Sequence, residues 1–140
     1  MKKRILLFLF SALVLPVAQR AHAQVVVIAN PSVKAMDVSK AELRDLFSGV
    51  TSSLTGWSQV VPVLLKQGPV HDEFLTKYVG KSDTAFRMSW RSLVFSGQGV
   101  MPRSLESETA VVEFVARTPG AIGYVSKATP HEGVKILVVR

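Results

Sequence analysis

Four short apolar runs, separated by stretches with helical spacing, leave this chain few folds to choose from. Val25 to Ala29 is a continuous, largely β-branched run ended by Asn30-Pro31. A run that is apolar at consecutive positions suits a strand covered on both faces in a parallel or mixed sheet. Val60 to Leu65 is the second run, closed by Gln67-Gly68-Pro69; Ala121 to Val125 is the third and Val134 to Val139 the fourth.

The segments between these runs read as helices. Ser39 stands three residues before Glu42, a capping box, and Val38 can pack on Leu43 as a hydrophobic staple. Leu43, Leu46 and Phe47 follow at helical spacing, with Gly49 as the left-handed stop. Pro69 suits the first position of a second helix, whose inner face is Val70, Phe74 and Tyr78 and which Gly80 ends. Ser82 or Asp83 caps a third helix with Phe86, Trp90, Leu93 and Val94 as its apolar stripe and Gly97 as its stop; Arg87 and Arg91 stand one turn apart on it. A fourth spans about Glu108 to Arg117, with Val111, Val112 and Val115 inward and Pro119-Gly120 beyond its end. The order β-α-β-α-α-α-β-β predicts a layered α/β sandwich, a single lobe with a mixed sheet of about four strands and about four helices. There is no internal repeat.

Ahead of these elements lie Met1-Lys2-Lys3-Arg4, an apolar run from Ile5 to Val17, and Ala21-His22-Ala23. This basic, apolar and A-x-A order is that of a secretory signal peptide, which assigns residues 1–23 to a leader and 24–140 to one domain. Pro16, Gln19 and Arg20 leave the apolar run short of the roughly 20 residues that span a bilayer. The remaining length is enough to bury a core without cross-links, and the chain has no cysteine. That also excludes thiolate metal sites and cysteine catalysis. Of the net charge of +7, Lys2, Lys3, Arg4 and Arg20 belong to the leader. The mildly basic remainder is scattered, unlike the stripe expected of a nucleic-acid binder.

Several runs resemble the second lobe of the type 2 periplasmic binding proteins that serve phosphate ABC transporters. They are Leu43-Arg44-Asp45-Leu46-Phe47-Ser48-Gly49, Gly56-Trp57-Ser58, Val61-Pro62-Val63 and Pro119-Gly120-Ala121-Ile122-Gly123-Tyr124-Val125, in the family's order and spacing. The same residues have structural readings: Trp57 fills core space, Gly120 and Gly123 are tight backbone positions, and Leu46 and Phe47 pack their helix. The resemblance implies a periplasmic, phosphate-binding-protein-like domain over residues 24–140 and an oxyanion such as phosphate as ligand. In the family a loop reading approximately Arg-x-Asp-Gly-Ser-Gly-Thr follows the Val61-Pro62-Val63 strand and holds phosphate at a helix start, where unpaired N–H groups and the dipole favour an anion.

Here the matching stretch is Leu65-Lys66-Gln67-Gly68-Pro69-Val70-His71. Only Gly68 is retained, Leu65 stands in place of the arginine, and proline has no N–H to give. Lys66, Gln67, Gly68 and His71 are therefore the candidate oxyanion-binding residues. The resemblance also implies a missing partner lobe. Three absent charge-assisted hydrogen bonds would cost about 5 to 9 kcal/mol of affinity, so another protein is expected to complete the site.

The alternative function is a ligand-less interaction module docking on another periplasmic or transporter protein, with Val100, Met101 and Pro102 as contact residues. Catalysis is not expected: beyond the leader there are only His71 and His131, with no nucleophile elbow and no His-Glu-x-x-His. His71 and Asp72 diverge by about 100 degrees on a helix and make a poor relay. No spacing suggests a metal or a cofactor.

Overall fold

The computed structural model describes residues 24–57 and 59–140, so the leader expected over residues 1–23 lies outside the described residues. Each of the four apolar runs forms a strand: β1 (Val25–Ala29), β3 (Val61–Leu65), β5 (Ala121–Ser126) and β6 (Lys135–Val139). Two short strands join them, β2 (Asp37–Val38) and β4 (Arg103–Leu105), giving a six-stranded sheet in the order β2-β6-β1-β5-β3-β4. Four strands were expected. The additions are edge strands of two and three residues with exposed Asp37, Arg103 and Ser104, and they owe their form to pairing on one side rather than to any apolar run. The sheet is mixed: β1 runs antiparallel to β5 and β6, whereas β3 is parallel to both β4 and β5.

The helices are α1 (Lys40–Phe47), α2 (Pro69–Phe74), α3 (Asp83–Phe95) and α4 (Glu108–Arg117), with a π-helical turn, Leu75–Val79, continuing α2. The capping box at α1 is present: the Glu42 N–H donates to Ser39 Oγ at 3.1 Å and the Ser39 N–H donates to Glu42 Oε2 at 2.9 Å. Gly80, in the left-handed region at φ 73°, ends the π turn with its N–H on the Leu75 carbonyl.

Adjacent residues of a strand face opposite sides of a sheet, and β5 uses both. Tyr124 looks toward α1 and α2, stacked on Phe74 with centroids 3.8 Å apart. Gly123 looks toward α4, where an added Cβ would come within 2.8 Å of Val111 and 2.9 Å of Val63. Glycine at 123 is thus what lets α4 lie this close to the strand. The tight position expected at Gly120 is also observed, since a Cβ there would meet the Gln59 carbonyl oxygen at 2.5 Å.

The stripe expected on α3 is narrower than its spacing suggests. Phe86 and Trp90 are buried and Leu93 is half-buried, but Val94 is 48% exposed. Trp90 reaches across to donate its indole N–H to the Phe47 carbonyl at 3.0 Å. Contact through long side chains holds the α3 backbone off the core, and only a thin strip is covered. One continuous apolar cluster runs through the strands and under α1, α2 and α4.

Candidate functional site

β3 pairs with β5 only at Val61 and Pro62 and with β4 from Val63 to Leu65. Past Pro62 the ladder to β5 has ended, which frees the Leu65 N–H on that side. It is taken by a side chain: Leu65 N–H donates to the Tyr124 hydroxyl oxygen at 3.0 Å. That hydroxyl lies 2.5 Å from His71 Nδ1, and His71 Nε2 lies 2.7 Å from Asp83 Oδ1. Because Tyr124 oxygen accepts from Leu65 and Asp83 is a carboxylate, the network assigns the phenolic O–H as donor to Nδ1 and Nε2–H as donor to Asp83. Arg87 extends the line, its Nε bonded to both Asp83 oxygens at 3.1 and 3.0 Å and its Nη2 donating to the Lys66 carbonyl at 2.6 Å.

Burial alone would raise the Asp83 pKa, but the hydrogen bonds from His71 and Arg87 outweigh it and hold the carboxyl below its usual range. Burial pushes the Tyr124 phenol well above the usual tyrosine value, so it stays protonated. One connected set of bonds therefore ties β5, α2, α3 and the end of β3, and fixes where the loop after β3 begins.

That loop opens onto a small cleft of about 240 Å³ between Leu65, Gln67 and Gly68 on one side and Glu106, Ser107 and Glu108 on the other. Of the four residues expected to contact an oxyanion, Lys66, Gln67 and Gly68 are at this cleft or its rim. Lys66 and Gln67 are exposed, and Lys66 Nζ is 2.9 Å from Glu106 Oε1. Gly68 adopts φ 116°, a conformation open to glycine, and makes the turn into α2. His71 lies elsewhere than expected: its side chain is fully buried, and both ring nitrogens serve the interior network rather than the cleft. Only its main chain reaches the helix start. Asp72 is the residue whose N–H bonds the Gly68 carbonyl, and Gly68, the N-cap, has no side chain to accept a bond, so the N–H groups of Val70 and His71 point out of the start of α2.

Carboxylates crowd the opposite wall. Glu108 Oε1 already accepts from the Ser126 N–H and the Thr129 hydroxyl, and Ser107 caps α4 by accepting from the Ala110 N–H. Arg87 is no idle solvated arginine, since it clamps the loop; Arg91, one turn on, takes no part in the cleft. Sequence reasoning did not foresee the roles of Tyr124, Asp83 and Glu106. The i,i+4 spacing of Asp83 and Arg87 was a usable signal, whereas the 40 residues between Lys66 and Glu106 offered none. His71 does meet a carboxylate, but it is Asp83 on the next helix rather than its neighbour Asp72. His71 and Tyr124 are wholly buried, whereas Asp83 and Arg87 at the other end of the line are partly exposed.

No protein-family model matches this sequence, and no curated protein does. Solved structures do match. An ABC-type phosphate transport receptor from Vibrio cholerae superposes with a TM-score of 0.63 at 12% identity, over 82% of this chain and 45% of the receptor. A putative phosphate ABC transporter substrate-binding protein with bound phosphate from Clostridium perfringens gives 0.62 at 16% identity, over 82% and 44%. PstS from Borrelia burgdorferi gives 0.58 at 17%, over 83% and 47%. The chain thus spans less than half the length of these proteins. The mixed sheet, its helical layers and these superpositions together establish a fold similar to one lobe of the phosphate ABC transporter substrate-binding proteins.

Proposed function

We propose that this chain is a periplasmic solute-binding lobe that holds a small oxyanion, phosphate first, at the loop Lys66–Pro69, and that a second protein completes the site. The observation that carries this reading is the placement of the loop: it follows β3 and opens at the start of α2, in a fold similar to proteins of which one was solved with phosphate bound. Lys66 supplies the cation, Gln67 an amide donor, and Gly68, Val70 and His71 main-chain N–H groups; the His71 ring positions α2 from within. The leader-like first residues support export to the periplasm, and no helix among the described residues is long and apolar enough to cross a membrane.

Binding is weak in this reading for a specific reason. An arriving anion must draw Lys66 from Glu106 and sit near Glu108, and Pro69 withholds one N–H. The Lys66–Glu106 pair also favours the second reading, a lobe without ligand that docks on another periplasmic or transporter protein. Calorimetric titration of residues 24–140 with phosphate at low ionic strength separates the two. A saturable heat with a Kd in the millimolar range, about −4 kcal/mol, is expected, lost in Lys66→Ala and strengthened several-fold in Glu106→Gln. No saturable heat up to about 10 mM phosphate, in either the parent or Glu106→Gln, refutes the oxyanion site and leaves the docking lobe.

A further inference from the structure

The residues at the other end of β3 have no part in the cleft. Val61 and Leu65 mark the two ends of this strand, about 13 Å apart at ~3.3 Å per residue. Beside Val61 lies a groove of about 550 Å³ bounded by Val60, Pro62, Trp90 and the segment Gly99–Arg103. A second hollow, of about 440 Å³, is formed by Arg91, Val94, Phe95 and Met101. Met101 lines both, so the two are neighbours. Large apolar side chains stand out around them: Phe95 is 95% exposed, Val100 88% and Val50 74%. Apolar groups this exposed and this close together mark a contact surface rather than ordinary solvated surface.

The segment that supplies most of this patch carries charge of one sign, and Asp45, near Val50, is paired with Arg44. From Thr84 to Leu105 the chain carries Arg87, Arg91 and Arg103 and no carboxylate. Arg87 is held by Asp83, whereas Arg91 and Arg103 have no carboxylate partner among the described residues. Arg103 lies along the Phe114 ring, 5.5 Å from its centroid.

We infer that this face attaches to an anionic lipid bilayer. A second copy of the same face is disfavoured because it would set Arg91 and Arg103 against their own equivalents. Residues 1–23 are disfavoured on the same ground, carrying four basic residues and no acidic one. Apolar side chains flanked by arginine fit the boundary between acyl chains and anionic headgroups, where the ring and methyl groups enter and the guanidinium groups stay with the phosphates. The relief of the surface points the same way. Phe95 ends a helix while Val50 and Val100 sit in separate loops, and a fluid bilayer conforms to such uneven projections. The attachment is independent of what the cleft binds.

Vesicle co-sedimentation of residues 24–140 tests it. Phosphatidylcholine vesicles are compared with vesicles holding about 30 mol% phosphatidylglycerol, between about 0.05 M and about 0.5 M salt. Partitioning onto the anionic vesicles at least about tenfold above the neutral ones, falling as salt rises, is expected. Phe95→Asp should reduce it about tenfold, and Arg91→Glu with Arg103→Glu should abolish the preference for anionic lipid. Val138→Asp, at a 63% exposed site on β6, should change nothing. All these positions are solvent-facing, so circular dichroism should show the parent fold in every variant. Absence of binding to the anionic vesicles overturns the inference, as does equal loss in Val138→Asp and Phe95→Asp. A Phe95-dependent dimer in sedimentation, or capture by an acidic peptide without vesicle binding, assigns the face to a protein contact and likewise overturns it.

Discussion

Replacing Tyr124 with phenylalanine removes one oxygen and leaves the ring stacked on Phe74 with its centroid 3.8 Å away, so apolar packing is nearly unchanged. What is lost is a pair of bonds. The Leu65 N–H loses its acceptor and His71 Nδ1 loses its donor, both at buried positions and too far from water for solvent to replace the hydroxyl. Leaving a buried polar group without a partner costs about 1 to 3 kcal/mol, so two such groups set the penalty at about 2 to 4 kcal/mol after partial relaxation. In a domain of this size that lowers Tm by roughly 8 to 16 °C. Urea unfolding of residues 24–140, followed by tryptophan fluorescence, should show a lower midpoint with an unchanged slope. Tyr78→Phe is the control, since the Tyr78 hydroxyl carries none of these bonds; it should shift stability by less than about 0.5 kcal/mol. If Tyr124→Phe behaves like the control, the hydroxyl is not the link between β3 and α2 and the account of the network is wrong.

Gly123→Ala should destabilise by about 1 to 3 kcal/mol, because the new methyl would lie 2.8 Å from Val111 and force α4 off the sheet. A midpoint equal to the parent's in the same urea experiment would refute close packing there. Acid sensitivity should come partly from Glu42, whose pKa is lowered from 4.5 to about 2, first by the Thr55 hydroxyl and then by the Ser39 N–H. A depressed carboxyl stabilises the fold fully above its unfolded pKa and loses that contribution as pH falls from about 4.5 toward about 2. Screening at this surface position limits the effect to about 1 kcal/mol, comparable to a helix cap. Glu42→Gln should accordingly flatten the decline in urea midpoint between pH 5 and pH 2.5 by about that amount; an unaltered decline would show that Glu42 is not responsible. Asp83 titrates in the same sense, its contribution being lost below the usual carboxylate range.

Local chemistry makes most of the framework legible in the order of the residues alone. Consecutive apolar residues mark β1 and β5, which are covered on both faces, because such a strand exposes almost no side chain to water; β6 is apolar along its length yet leaves Ile136 and Val138 exposed. Ser39 with Glu42, and the glycine stops at Gly49, Gly80 and Gly97, mark helix ends because the bonds or left-handed turns they supply involve residues within a few positions. The α/β class followed from those signals, whereas the resemblance to one lobe of the phosphate-binding proteins rested on motifs such as Val61-Pro62-Val63 and Pro119–Val125. The short strands β2 and β4 did not, because they form only where a neighbour offers free backbone groups.

The site divides along the same line. Lys66, Gln67 and Gly68 fall in the loop between β3 and α2, as the end of the apolar run and Pro69 indicated, since such a loop is a local feature. The bonding of His71 depended on partners 53 and 12 residues away, Tyr124 and Asp83, and the pairing of Lys66 on Glu106, 40 residues away. His71 stands three and four residues before the buried Phe74 and Leu75, so helical spacing itself turns its ring inward. Tertiary structure decided what the ring meets there, because the end of the β3–β5 ladder left a buried N–H that Tyr124 satisfies, and the hydroxyl in turn needed an acceptor.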